Sequence, residues 1–353
     1  MRKEIEKILV IRFSSLGDII LTTPVLENLK TKFPQSQIYF LTKTKYSDLL
    51  ASDPRIYALI EFDPRGKHKG FKGFKRLMRE LNSNDFDLLI DLHTNLRSFF
   101  LRLLVKSGIK TKYRKRWFSR FLMVHFKFLK TKPVSTLESY LGVFKKLQIE
   151  PEKKIPTLFV DQDDIEYANK FLLEAGIKKD DIVIGVHPGA RWETKRWDEE
   201  KFKQVCKNLI PKLDCKIILF GDSEDGELIR RMAEKLPDSK VTKAIGLSLS
   251  RLMSLVKNCD CLITNDSGPM HIAVGFSVPV VAIFGPTHPQ LGFVPTGPGN
   301  VVLCADVKCS PCSLHGERKC RKESRLCMDL ITPDMVVEAV EGLLKKKSVL
   351  KDV

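Results

Sequence analysis

Short apolar runs that do not alternate with polar residues constrain this chain more than any other feature. Residues 8–13 (ILVIRF), Gln37–Leu41, Tyr57–Phe62 and Phe86–Asp91 (FDLLID) are such runs, and amphipathic helical stretches separate them, the first over Asp18–Phe33. A strand covered on one face alternates polar and apolar residues. A run that does not alternate needs cover on both faces, as in a parallel sheet between helical layers. The second half repeats the pattern, with strands predicted at Ile182–Val186, Lys216–Phe220, Cys261–Thr264 and Val278–Phe284 and helices near 198–210, 224–236, 248–257 and 267–276. The fold class expected is α/β, with two Rossmann-like, doubly wound domains in tandem and a ligand cleft between them at the carboxyl ends of both sheets. The polar, proline-bearing stretch 149–156 (IEPEKKIP) is the predicted linker, placing the domains at 1–155 and 156–353. Residues 333–347 are predicted helical and are expected to pack back on the first domain.

The 353 residues suffice for two cores. No apolar run reaches the roughly 18 residues of a membrane span. The N-terminus MRKEIEKILVIRF lacks a small-residue cleavage site, so a cytoplasmic protein is expected. Charge is unevenly placed. Residues 1–155 hold 32 Lys and Arg against 15 Asp and Glu, while the rest holds 28 of each, so the first half carries the whole net +17. That half is suited to an anionic partner: nucleic acid, a membrane surface or an acidic substrate. Its extreme is Arg97–Pro133, with twelve Lys or Arg and no acid, in which Trp117, Phe118, Phe121, Leu122, Phe128 and Leu129 recur at helical spacing. Such a segment fits the surface of an anionic bilayer, or a helix packed on its own domain with its basic residues in water.

Three strand-end segments carry candidate chemistry. Arg12, Ser14, Ser15, Gly17 and Asp18 follow the first strand and open a helix. Gly17 suits a tight turn. Asp18 either accepts a proton from a substrate hydroxyl or caps the helix. In the segment from His187 to Trp197, Arg191, Lys195 and Arg196 suit a diphosphate, and Trp197 suits the core. In the segment from Thr264 to His271, Asp266 can bind sugar hydroxyls, while Ser267 and Gly268 open a helix whose amides face an anion and His271 follows one turn later. Phe284-Gly285-Pro286-Thr287 ends a further strand at the same edge. No G-x-G-x-x-G or G-x-x-x-x-G-K-[ST] motif points to a dinucleotide site or a P-loop. Nine cysteines all lie at or beyond Cys206. Cys309, Cys312, Cys320 and Cys327 (C-x2-C-x7-C-x6-C) can supply four thiolates to a structural zinc ion, or are reduced thiols or a redox-labile pair.

Together Ser14–Asp18, Lys195-x-Trp197, Asn265–His271, Phe284–Thr287 and the Cys-Ser-Pro-Cys tail resemble glycosyltransferase family 9, the ADP-heptose:lipopolysaccharide heptosyltransferases, over nearly the whole chain. The resemblance implies a GT-B fold and an inverting heptosyl transfer from an ADP-sugar donor that needs no cofactor and no catalytic metal. It implies an anionic lipopolysaccharide precursor at the inner face of the inner membrane as acceptor, and no nucleic-acid partner; the enzyme is expected to act as a monomer. By it Asp18 is the general base with Arg12, Ser14, Ser15 and Gly17 on the acceptor side. Lys195 and Arg191 meet the diphosphate, Asp266 orients the sugar, Ser267, Gly268 and His271 line the donor, and Glu224 contacts the ribose, with Asp225 and Glu227 as rivals. Some members carry a threonine pair where this chain has Ala190-Arg191. Three alternatives stay open: another nucleotide sugar or acceptor, a noncatalytic sugar-nucleotide module, or a nucleic-acid binder, although no RRM, KH or helix-turn-helix signature is present.

Overall fold

The computed structural model describes residues 4–126 and 135–351. The first sheet contains β1 (Lys7–Ile11), β2 (Gln37–Lys43), β3 (Ala58–Phe62), β4 (Phe86–Asp91) and β5 (Ser107–Lys112), in the order β3-β2-β1-β4-β5. All its pairs are parallel, with Leu9 opposite Tyr39 on one side and Leu89 on the other. Ile8, Leu9, Val10 and Ile11 are all fully buried, so both faces of β1 are covered, as its non-alternating sequence requires. Leu9, Ile11, Phe13, Leu41, Phe62, Leu81 and Leu101 form one core on a single side of this sheet. Truncating one of these leucines to alanine would cost about 2–5 kcal/mol.

The second sheet contains β6 (Val183–His187), β7 (Lys216–Gly221), β8 (Val241–Ile245), β9 (Cys261–Asn265), β10 (Val280–Phe284) and β11 (Asn300–Cys304), in the order β11-β10-β9-β6-β7-β8 and again parallel throughout. Both sheets start in the middle. The chain steps outward on one side, then returns to the other side of its first strand. Neighbouring connections therefore leave in opposite directions at the carboxyl ends of β1 and β4, and of β6 and β9. Those two switch points are where a doubly wound sheet binds ligands.

The structure departs from the sequence expectations in three places. Strands β5, β8 and β11 were not anticipated; each lies at a sheet edge. The single helix expected from Asp18 to Phe33 is two, Leu16–Ile20 and Thr23–Lys32. The Thr22 and Thr23 hydroxyls donate to the carbonyls of Ile19 and Ile20 at 2.6 and 2.8 Å, and Pro24, which has no N–H, takes the first turn of the second helix. The compact units also divide differently from 1–155 and 156–353. The first comprises the chain up to Arg116 together with Ser135–Phe159, and the second takes the helix Trp117–His125 and everything from Val160 onward. That helix belongs to the second unit because Met123 and Val124 pack on Leu291, with Phe293 and Leu314 around them. Phe128 and Leu129 lie outside the described residues. Within the second unit, the helix Pro333–Lys351 packs on the sheet. Val336, Val337, Val340 and Leu343 sit in the second core, which accounts for the apolar face that the sequence shows. Among the described residues no helix is long and apolar enough to cross a membrane.

Candidate active site

At the first switch point, Arg12 extends from the end of β1 and its Nη1 donates to the Leu92 carbonyl beyond β4 at 2.6 Å. Its Nη2 meets Asp18 Oδ2 at 2.9 Å. The Ser15 hydroxyl and amide donate to the same oxygen at 2.7 and 3.2 Å, and the Tyr140 hydroxyl donates to Oδ1 at 2.7 Å. The Arg12 guanidinium lies 5.3 Å from the Tyr140 ring centroid, and Tyr113 packs edge-on to Tyr140 at 4.9 Å. Burial alone would raise Asp18. Arg12 foremost, then the Ser15 and Tyr140 hydrogen bonds, overcome it and hold the carboxyl at about 2. Burial also opposes the charge on Arg12, but Tyr140, Asp18 and Tyr113 outweigh that and hold the guanidinium above its usual value. Burial, with Arg12 second, pushes the neighbouring His93 down to about 3, so it is neutral.

Capping and base chemistry are thus not exclusive for Asp18. It accepts the Ser15 amide at the helix start, and it also sits in an ion pair with two further donors. Gly17 is buried in the first turn of that helix, so its backbone is helical and not the tight turn expected. Ser14 is half-buried. Tyr140 was not foreseen. It lies 122 residues from Asp18 in the short helix Thr136–Leu141, in no recognisable motif.

At the second switch point, Asn265 closes β9, and its amide donates to the Pro188 carbonyl beyond β6 at 2.7 Å. Its Oδ1 accepts the Trp197 amide at 3.0 Å. Trp197 is buried, as expected, and its indole N–H reaches the Met328 and Ile331 carbonyls at 3.1 and 3.2 Å. Between these anchors Lys195 Nζ lies 2.6 Å from Asp266 Oδ2, and the Thr287 hydroxyl beyond β10 donates to the same oxygen at 2.6 Å. The helix Gly268–Gly275 starts beside them; Ser267 is its N-cap residue, and its hydroxyl pairs with that of Thr264 at 3.1 Å. His271 is buried within that helix. Lys195, Asp266, Ser267, Gly268 and Thr287 therefore come together at one sheet edge.

The donor-side residues differ in how they are held. Arg196 is held within its own domain, where its Nε donates to the Ala190 carbonyl at 2.9 Å and its Nη2 pairs with buried Asp225 at 3.0 Å. Arg191 is exposed, 5.4 Å from the Trp192 ring centroid, and stays accessible. Asp225 and Glu224 also separate in role. Asp225 faces Gly189, where a Cβ would come within 2.1 Å of its carboxylate, whereas Glu224 projects to solvent from the turn after β7.

Cys309, Cys312, Cys320 and Cys327 line a common cavity with Thr194 and Glu317. Even so, among the described residues no group of three or more His, Cys, Asp or Glu is disposed to hold a metal ion. The four thiols expected as zinc ligands do converge on this one cavity. Burial, then the proximity of Cys312, Cys309 and Cys320, pushes Cys327 up to about 11. Cys320 goes the other way, since the amides of residues 322–325 face its sulfur and outweigh burial. The loop that bears these cysteines supports Lys195. The Thr194 hydroxyl donates to the Glu317 carbonyl at 2.9 Å and accepts its amide at 2.8 Å. Gly316, at φ +97°, lies so close that a Cβ would meet the Lys195 stem at 2.9 Å.

Two Rossmann-like domains, each with its polar side chains gathered at the switch point of its own sheet, define the GT-B class. The chain belongs to glycosyltransferase family 9 (heptosyltransferase), whose family model matches residues 74–322. It is 28% identical over 356 residues to lipooligosaccharide heptosyltransferase 2 of Haemophilus influenzae, covering 96% of this chain and 99% of the relative. A solved glycosyltransferase family 9 structure from Veillonella parvula matches with TM-score 0.83 and 27% identity, over 98% of this chain and 99% of that one. The Escherichia coli ADP-heptose lipopolysaccharide heptosyltransferase II matches in fold with TM-score 0.73 at 22% identity, over 97% and 99%.

Proposed function

We propose that this protein transfers a heptose from ADP-heptose to the inner core of lipopolysaccharide, with inversion at the anomeric carbon and without a catalytic metal. The observation that carries the reading is Asp18, an ionised carboxylate fixed by three neighbouring side chains at a switch point. Relatives named as lipooligosaccharide heptosyltransferases support the sugar and the acceptor. The acceptor hydroxyl oxygen forms a bond to the anomeric carbon as the bond from that carbon to the diphosphate oxygen breaks. The hydroxyl proton passes to Asp18, and ADP departs with the electron pair. A carboxylate held near 2 is a weak base. It suffices for a hydroxyl that becomes strongly acidic only as the new bond forms, so proton transfer falls late.

Leaving-group charge is met by Lys195, by exposed Arg191 and by the amides at the start of the helix Gly268–Gly275. With cations and amide dipoles supplied by the chain, EDTA should leave the rate unchanged. Incubation with ADP-heptose and a Kdo–lipid A acceptor, read by mass spectrometry, should show addition of one heptose. Asp18→Asn should abolish transfer and keep ADP binding. Transfer at the wild-type rate by Asp18→Asn, or no heptose added by the wild-type protein to Kdo- or heptosyl-bearing acceptors, sinks the proposal.

A further inference from the structure

The helix Leu96–Leu104 (LRSFFLRLL) shows an unusual division of its surface. It joins its own domain through Ser98, Leu101 and, just past its end, Val105, all fully buried. Its opposite face carries Leu96, Phe99, Phe100, Leu103 and Leu104, at 72, 45, 41, 61 and 52% exposure. Those positions follow the i, i+3, i+4, i+7, i+8 rule of a helix that buries a continuous apolar stripe. Here the stripe points to solvent. Leucine and phenylalanine gathered in one stripe differ from the scattered single apolar residues of an ordinary surface.

The surroundings of the stripe indicate its occupant. Arg97 and Lys106 are exposed in the helix and just past its end, Lys110 Nζ donates to the Leu103 carbonyl at 3.3 Å, Arg102 lies 5.5 Å from the Phe99 ring centroid, and no acidic residue occurs in the sequence between Asp91 and Glu138. A second copy of the chain would fit poorly, because two-fold pairing would set each cation near its own equivalent. A nucleic-acid backbone would meet the cations but leave five apolar side chains unused. An anionic bilayer satisfies both, with phosphates at the cations and acyl chains at the stripe.

We propose that the outward face of Leu96–Leu104, with Arg97, Lys106 and Lys110 beside it, docks this protein on an anionic lipid bilayer. The side chains of Leu96, Phe99, Phe100, Leu103 and Leu104 enter the boundary between headgroups and acyl chains, and the cations hold lipid phosphates. Docking requires nothing of which sugar is transferred, so it stands or falls separately from the catalytic reading.

The test is flotation of the full chain with vesicles of phosphatidylcholine alone and of phosphatidylcholine with phosphatidylglycerol. Wild type should float with the anionic vesicles and not the neutral ones, and rising salt should release it. Leu96→Ser/Phe100→Ser/Leu103→Ser should weaken partitioning at least about tenfold. Arg97→Gln/Lys106→Gln/Lys110→Gln should weaken it and flatten its salt dependence. Unchanged ADP binding and melting temperature would show that both variants fold. Equal flotation of wild type and the serine variant overturns the proposal. So does a wild-type dimer in sedimentation that the serine variant converts to monomer, or binding of wild type to an oligonucleotide but not to anionic vesicles.

Discussion

Replacing Tyr140 with phenylalanine removes one hydrogen bond from the Asp18 carboxylate and little else. The ring is buried against Tyr113 and under Arg12, and phenylalanine keeps those contacts. What is lost is the 2.7 Å bond from the hydroxyl to Asp18 Oδ1. A hydrogen bond to a charged group is worth about 1.5–3 kcal/mol. It favours the ionised form, so its loss should raise Asp18 by about one to two pH units, at about 1.4 kcal/mol each. The sign then fixes the pH dependence. Asp18 is depressed to about 2 in the folded protein, so its contribution to stability is present above the ordinary carboxylate value and is lost as pH falls through about 2. Tyr140→Phe should therefore be less stable than wild type by about 1.5–3 kcal/mol at pH 7. The gap should shrink between about pH 4 and pH 2, where the carboxyl protonates in both proteins. Urea unfolding at pH 7 and pH 3 reads the stability gap, and a carbon-13 titration of the Asp18 carboxyl reads its position directly. In kinetics the acid limb of kcat/KM should move upward with it. A stability loss of equal size at both pH values, with the carboxyl still near 2, would show that the cost is packing and refute the reasoning.

Further outcomes follow from the second domain. Lys195→Met should weaken ADP-sugar binding by about tenfold or more and also lower stability at neutral pH, since buried Asp266 loses its cation and keeps the Thr287 hydroxyl; titration calorimetry with the nucleotide sugar and with ADP, and scanning calorimetry of the free protein, check the two effects. Gly316→Ala should destabilise by about 1–3 kcal/mol, because alanine at φ +97° is strained and its Cβ presses on Trp192 and the Lys195 stem; thermal unfolding would read the loss, and turnover should fall as well. At neutral pH iodoacetamide should modify Cys320 before Cys327, because facing amides lower the first thiol while burial holds the second near 11; peptide mass mapping over time checks the order.

The sequence made the interior of both sheets legible and left their rims obscure. Strands such as β1, β4, β9 and β10 are covered on both faces and read as unbroken apolar runs. The edge strands β5 (SGIKTK), β8 (VTKAI) and β11 (NVVLC) are only partly buried, and partial burial blurs the pattern. β3 is also at an edge, yet ALIEF kept enough apolar character to be read. The break between Ile20 and Thr23 was missed because the apolar spacing continues through it. Composition also misled about the basic helix Trp117–His125: its charge matches the first half, but its packing residues belong with Leu291. Among candidate site residues, Asp18, Lys195 and Asp266 stand in loops after buried strands, and the family resemblance singled them out where spacing alone left capping and surface readings open. Tyr140 reaches Asp18 only through tertiary structure, and Thr287 was quoted for its position at a strand end without its bond to Asp266.

The two bridges across the switch points also bear on how the molecule assembles. Arg12 reaches a carbonyl 80 residues along the chain, and Asn265 one 77 residues back. Neither contact can form from neighbouring chain. Each needs a parallel strand pairing first, and such long-range closure is the slow part of folding. As the chain emerges from the ribosome, Arg12 and Asp18 are present well before Leu92 and Tyr140 are made. The carboxylate that defines the first half-site therefore keeps an ordinary titration until late in folding, and its acidity is a marker of the completed first domain.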